Sequence, residues 1–195
     1  MSDILEAAET GKESRLNAII ALSVAIIATV MALGNIKDGN IGQSMAQAQS
    51  NAVDTWAQYQ SKSTKQNIAE AALAQLTLQR DLATGFTPEQ QARIDKQIAT
   101  FQQQVKRYDT EKAEIRKQAE AYQHEYDALN IHDDQFDLSE AALSVAIAIL
   151  GVTALTQKRW LLVFGLVFAG IGLVFSIAGF FNLSLHPAAL TSLFS

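Results

Sequence analysis

The 195-residue chain has no cysteine, only two prolines and no excess of basic residues. Without cysteine there is no disulfide framework, no thiolate nucleophile and no cysteine-based metal centre. With 15 Lys plus Arg against 20 Asp plus Glu, a net charge of −5 and no basic stripe, nucleic acid is excluded as a partner. Charge is also missing by region. Residues 16–33 carry none, and 141–195 carry only Lys158 and Arg159. The span 34–140 holds 11 basic and 16 acidic residues. A chain with apolar ends and a polar middle is not a soluble domain around one core.

Three stretches approach the roughly 20 apolar residues that cross a bilayer. They are 16–33, then the marginal 141–155, which extends to 138 only by including Glu140, and then 160–183. Ala32-Leu33-Gly34 has the small residues of a signal-peptide cleavage site. The stretch before it exceeds the usual length of about 7–15 residues and follows a net acidic segment, so a retained helix is expected. The last two stretches are so close that they form a transmembrane hairpin. Short-loop Lys and Arg set orientation. Lys12 and Arg15 precede the first span, Lys158 and Arg159 lie in the hairpin loop, and Asp133, Asp134, Asp137 and Glu140 precede the second. The N-terminus and that loop are therefore expected inside, and the middle region and C-terminus outside.

Small residues recur at heptad spacing in each span. The first has Ala18, Ala21, Ala25, Ala28 and Ala32; the second Ala141, Ser144, Ala148 and Gly151; the third Gly165, Ala169, Gly172, Ser176 and Gly179. In lipid, helices associate by close backbone approach at such residues, which predicts a tight bundle within or between chains. No ionisable residue lies inside the three stretches, which argues against a pump or secondary transporter.

The middle reads as two helices, 41–83 and 88–130, with no internal proline and no glycine beyond Gly42 in the first turn. Gly85 suits the end of the first helix, and Thr87-Pro88-Glu89-Gln90 reads as a capping box opening the second. So short a turn makes the helices antiparallel. Ile94, Ile98, Phe101, Val105, Tyr108, Lys112, Ile115, Ala119, Tyr122, Tyr126 and Leu129 alternate spacings of four and three, a coiled-coil seam broken only by Lys112. Residues 131–135 read as a linker, and Asp137 with Glu140 as the cap of the next helix. The predicted fold is all-α: three transmembrane helices and a long antiparallel helical hairpin. Its parts are an N-terminal segment 1–15, spans at 16–36, 138–156 and 160–183, a hairpin domain 37–137 turning near 84–88, a loop 157–159 and a tail 184–195.

Two clusters draw attention. Trp56, Tyr59, Gln60, Lys62, Ser63 and Lys65 gather on the first hairpin helix. They either form a face for a partner helix or an anionic or aromatic ligand, or their rings pack in the seam beside solvated lysines. His124, Asp127, His132, Asp133, Asp134 and Asp137 include metal-ligating types, but no tight ligand spacing, and read as a solvated acidic collar. There is no phosphate loop, nucleophile elbow, His-Glu-x-x-His or Ser/His/Asp set, so neither an enzyme nor a cofactor is expected.

Three segments carry a resemblance. Trp56-Ala57-Gln58-Tyr59-Gln60-Ser61-Lys62, Phe136-Asp137-Leu138-Ser139-Glu140 and Leu155-Thr156-Gln157-Lys158-Arg159-Trp160, in this order, resemble the bacterial membrane family called domain of unknown function 4337. The resemblance implies this architecture and an inner-membrane location, raises the interest of the Trp56–Lys65 face, and implies no activity. The expectation is a multi-pass protein of structural or interaction type. It would self-assemble through membrane helices and hairpin, with the lipid bilayer and an envelope protein as further partners. The alternative is a transport accessory or pore-forming oligomer.

Overall fold

The computed structural model describes the backbone of residues 2–183 and 185 and the side chains of 13–183 and 185. The expected tail 184–195, apart from Leu185, and the side chains of 1–12 lie outside the described residues. Three helices follow in order: α1, Ser2–Leu82; α2, Pro88–Thr156; α3, Arg159–Phe180. The described residues contain no strand. Each helix includes a stretch long and apolar enough to cross a membrane.

Two expected breaks are absent. The first span and the first hairpin helix are one helix, and residues 131–135 continue α2 instead of linking two helices. Asp137 therefore lies mid-helix and caps nothing. The reason is local. No proline or glycine occurs between 127 and 141, so no residue there leaves a backbone donor unmade or favours left-handed geometry. The three glycines of 34–42 cost helix propensity, up to about 1 kcal/mol each relative to Ala, without reversing the chain.

The turn is as the sequence predicts, with one shift. α1 ends at Leu82, and Gly85 takes a positive φ of 102° inside the turn instead of directly behind the helix. The Gln90 backbone N–H donates to Thr87 Oγ1 at 3.2 Å and the Thr87 N–H to Gln90 Oε1 at 3.0 Å, the two reciprocal bonds of a capping box.

The chain forms two compact units, one of Met1–Met45 with Asp127–Ser195 and one of Ala46–Tyr126. In the second, α1 and α2 pack along the expected seam. Ile98 and Ala119 are buried on α2, and Ala48, Ala52 and Ala69 on α1.

The first unit is a three-helix bundle. Leu16, Ile20 and Ile27 of α1, Leu143, Ala146 and Leu150 of α2, and Ala169 of α3 make one apolar cluster. α3 approaches α2 closely where it lacks side chains. A methyl group built on Gly172 would stand 2.5 Å from Leu143 Cγ and 3.0 Å from the Ser139 carbonyl oxygen. One built on Gly179 would stand 2.7 Å from the Phe136 ring. Ser139 Oγ donates to the Gly172 carbonyl at 2.8 Å in the same contact.

Gly172→Ala is therefore expected to destabilise the bundle by about 1–3 kcal/mol through overpacking. Gly151→Ala and Gly170→Ala, with open space around the added methyl, should leave it unchanged or slightly more stable. Thermal unfolding of the three variants in detergent, followed by circular dichroism, makes the comparison. Equal melting temperatures would show that the Gly172 contact is not close.

Candidate functional site

Of the six residues singled out on α1, Trp56, Tyr59, Lys62 and Ser63 are half-buried and Gln60 and Lys65 exposed. The structure divides them. Trp56 and Tyr59 meet edge to face, with ring centroids 5.5 Å apart. Lys62 crosses to α2, donating to Glu111 Oε2 at 2.5 Å and lying 5.7 Å from the centre of the Tyr108 ring. Lys112 returns the contact from α2. It donates to Gln66 Oε1 at 3.0 Å and lies 5.4 Å from the Tyr59 ring. Arg107 joins Glu111 at 3.4 Å and lies 5.1 Å from the Tyr108 ring.

Each helix thus sends one lysine over an aromatic ring of the other. Lys112, the single charge in the α2 seam, has a partner within the hairpin. The hydrogen bond from Lys62 and its positive charge hold the Glu111 carboxyl below the usual carboxylate range. These pairs fix how the two helices register, since a slip by one turn would separate all of them at once. A shallow recess of about 160 Å³ lies beside this layer, lined by Lys65, Ile68, Ala69, Phe101, Gln104 and Tyr108.

The membrane-packing residues also divide. On α3, Gly165, Ala169, Gly172, Ser176 and Gly179 are all buried within the chain. On α1, Ala18, Ala21, Ala25, Ala28 and Ala32 are all exposed, and so are Ala141, Ser144, Ala148 and Gly151 of α2. The buried face of α1 is the large-residue side carrying Leu16, Ile20 and Ile27.

The two ends of the bundle differ in charge. At one end, the Gln157 amide donates to Asn17 Oδ1 at 2.9 Å and to the Ala154 carbonyl at 2.6 Å. Gln157 makes the turn into α3 with a φ of 55°. This tie brings Arg15 to the same end as Lys158 and Arg159, all three exposed. Towards the other end stand Asp38 of α1 and Asp133, Asp137 and Glu140 of α2. Asp38 and Asp133 lie close enough for each to shift the other's carboxyl, and Asp38 Oδ1 is buried without a hydrogen-bond partner. A cavity of about 10 Å³ beside them is lined by Asn35, Asp38, Ser139 and Glu140, among others. Among the described residues, no group of three or more His, Cys, Asp or Glu is placed to hold a metal ion.

Sequence reasoning missed Gln135, a fully buried residue assigned to the linker. Its amide donates to the carbonyls of Leu183 at 2.8 Å and Leu185 at 2.7 Å, and its Oε1 meets His132 Nδ1 at 3.1 Å. It fastens the chain beyond α3 to α2. The available signal was position: Gln135 precedes Phe136 on the buried side of a helix that does not stop.

A family model described as Domain of unknown function (DUF4337) matches residues 16–182. No curated protein and no solved structure matches.

The raised carboxyls have a consequence for stability. Burial, then the charges of Asp38 and Asp137, push the Asp133 carboxyl up to about 6. Burial, then Asp137, also raise Asp38. A carboxyl raised on folding binds its proton more tightly in the folded chain. Its contribution is complete below the unfolded value near 3.8 and is lost as pH rises towards about 6. Asp133→Asn should therefore raise the melting temperature at neutral pH and flatten its fall between these values. Melting curves of both proteins across this range test it, and parallel profiles would refute the raised Asp133 carboxyl.

Proposed function

The chain belongs to the DUF4337 family, and from its geometry we propose a structural or interaction role: a multi-pass membrane protein that self-assembles. The observation that carries this reading is the placement of the small residues. A surface that meets only lipid has no use for a continuous stripe of alanines, whereas two helices that pack in a bilayer need one. α3 spends its stripe inside the chain, while α1 and α2 keep theirs, from Ala18 to Ala32 and from Ala141 to Gly151, outside. The outward stripes are the contacts to other copies. The remaining outer surface is large and apolar, as in Leu22, Val163, Val167 and Val174, and suits acyl chains.

The bilayer is the inner membrane of a bacterium. Arg15, Lys158 and Arg159 mark the cytoplasmic end by the bias of basic loops, and Trp160, exposed at the start of α3, suits that interface. The Asp38–Asp133 end and the hairpin then belong to the periplasm, where an envelope protein is a second partner.

Ala25→Leu combined with Ala148→Leu should weaken assembly while leaving the bundle folded, because both positions face outward. Native mass spectrometry in detergent reads the outcome. A wild-type protein that is monomeric at every concentration would refute self-assembly, and a ring with an open axial path would favour a conduit instead. Orientation has its own test. A single cysteine at Gln97 should react with an impermeant maleimide from the periplasmic side, and labelling only after the inner membrane is opened would reverse the assignment.

A further inference from the structure

The paired helices of the second unit are unequal. Closing a two-helix seam needs one apolar face on each, and α2 has only one. Between residues 88 and 126 it carries 14 charged residues and exposes no large apolar side chain. α1 carries six charged residues between 46 and 82 and exposes four large apolar ones: Val53 at 57%, Ile68 at 64%, Leu78 at 58% and Leu82 at 71%. With Thr64 and Ala71, also exposed, these follow one line along the helix. At roughly 100° per residue they fall within an arc of about 80°, and every charged residue of this segment lies roughly 80° or more from its centre.

We propose that this stripe of α1 docks the same stripe of a second copy of the chain, side by side and parallel. Two features select that occupant. In a contact between identical surfaces each residue meets its own equivalent, so any charge would face a like charge. This stripe has none. Its polar members, Thr64 and the neighbouring Gln60 and Gln75, both donate and accept and can pair with themselves. Copies inserted in the same orientation align their α1 helices the same way.

The size of the stripe sets the strength. From Val53 to Leu82 it runs about 44 Å at 1.5 Å per residue, and at a width of roughly 10 Å two copies would bury about 900 Å². That is just below the ~1,000 Å² expected of a stable interface. The pairing is therefore weak in dilute detergent and strong only where a membrane confines the copies.

The inference rests on the self-assembly reading and locates one of its contacts. The chain has no cysteine, so single-cysteine probes are clean. Full-length protein carrying Val53→Cys, Ala71→Cys or Leu78→Cys is reconstituted in vesicles of phosphatidylcholine and phosphatidylglycerol and oxidised. Each should form a disulfide-linked dimer at least about tenfold faster, equivalent to ~1.4 kcal/mol, than Gln102→Cys or Lys117→Cys, exposed positions of α2. Adding Ile68→Glu and Leu78→Glu to the Ala71→Cys protein, with helicity unchanged, should slow linking by a similar factor. Equal rates on α1 and α2, or a Val53 cysteine that links only to a Leu82 cysteine, would overturn the parallel stripe. An oligomer in native mass spectrometry with no linking through α1 would leave self-assembly standing and remove this contact. A monomer throughout removes both.

Discussion

Phe136 fits between the helices only because glycines face it. Its ring, 4% exposed, lies where a side chain at Gly179 would have to stand, and an added methyl at Gly34 would come within 3.6 Å of it. Phe180 closes one side, with its ring edge-on at 5.3 Å. One helical turn along, Ser139 reaches the Gly172 carbonyl and Leu143 fills the space left by the missing side chain. This close approach places the small side of α3 inward, so that α3 completes the bundle. The small residues of α1 and α2 stay outward, beside exposed large ones such as Leu22 and Val152.

The three segments that resemble family motifs each carry a contact that ties helices together. Tyr59 and Lys62 bind α1 to α2 in the hairpin, through Lys112, Glu111 and Tyr108. Phe136 and Ser139 bind α2 to α3. Gln157 binds the loop between α2 and α3 to Asn17 of α1. None of these is a reactive group in a pocket. All are contacts whose loss would let one helix slide or swing against another.

Much of this was legible, though not all of it was read. The capping box and the hairpin seam follow from local spacing and from turn chemistry that leaves little choice. The break expected at 131–135 came from weighing composition above period. Ile94, Phe101, Tyr108, Ile115, Tyr122, Leu129, Phe136, Leu143 and Leu150 hold one heptad position without interruption. So regular a series is a single helix, polar interlude included. On α1 the corresponding series from Ile20 to Leu76 is buried or half-buried at every seventh residue. Other features had no local signal. A stripe of alanines does not reveal whether it faces a neighbour or the outside, because alanine suits both. The Asp38–Asp133 pair joins residues on different helices, far apart in sequence, and only the packing of α1 on α2 brings them together.

Within the second unit, α1 and α2 divide roles. α2 closes the hairpin with one face and covers the other with charge, which suits that face to water. α1 closes the same seam but stays nearly uncharged on its far side, from Val53 to Leu82. An unbroken helix keeps that face in phase over these roughly eight turns, because a loop between two shorter helices would let the second rotate about its own axis.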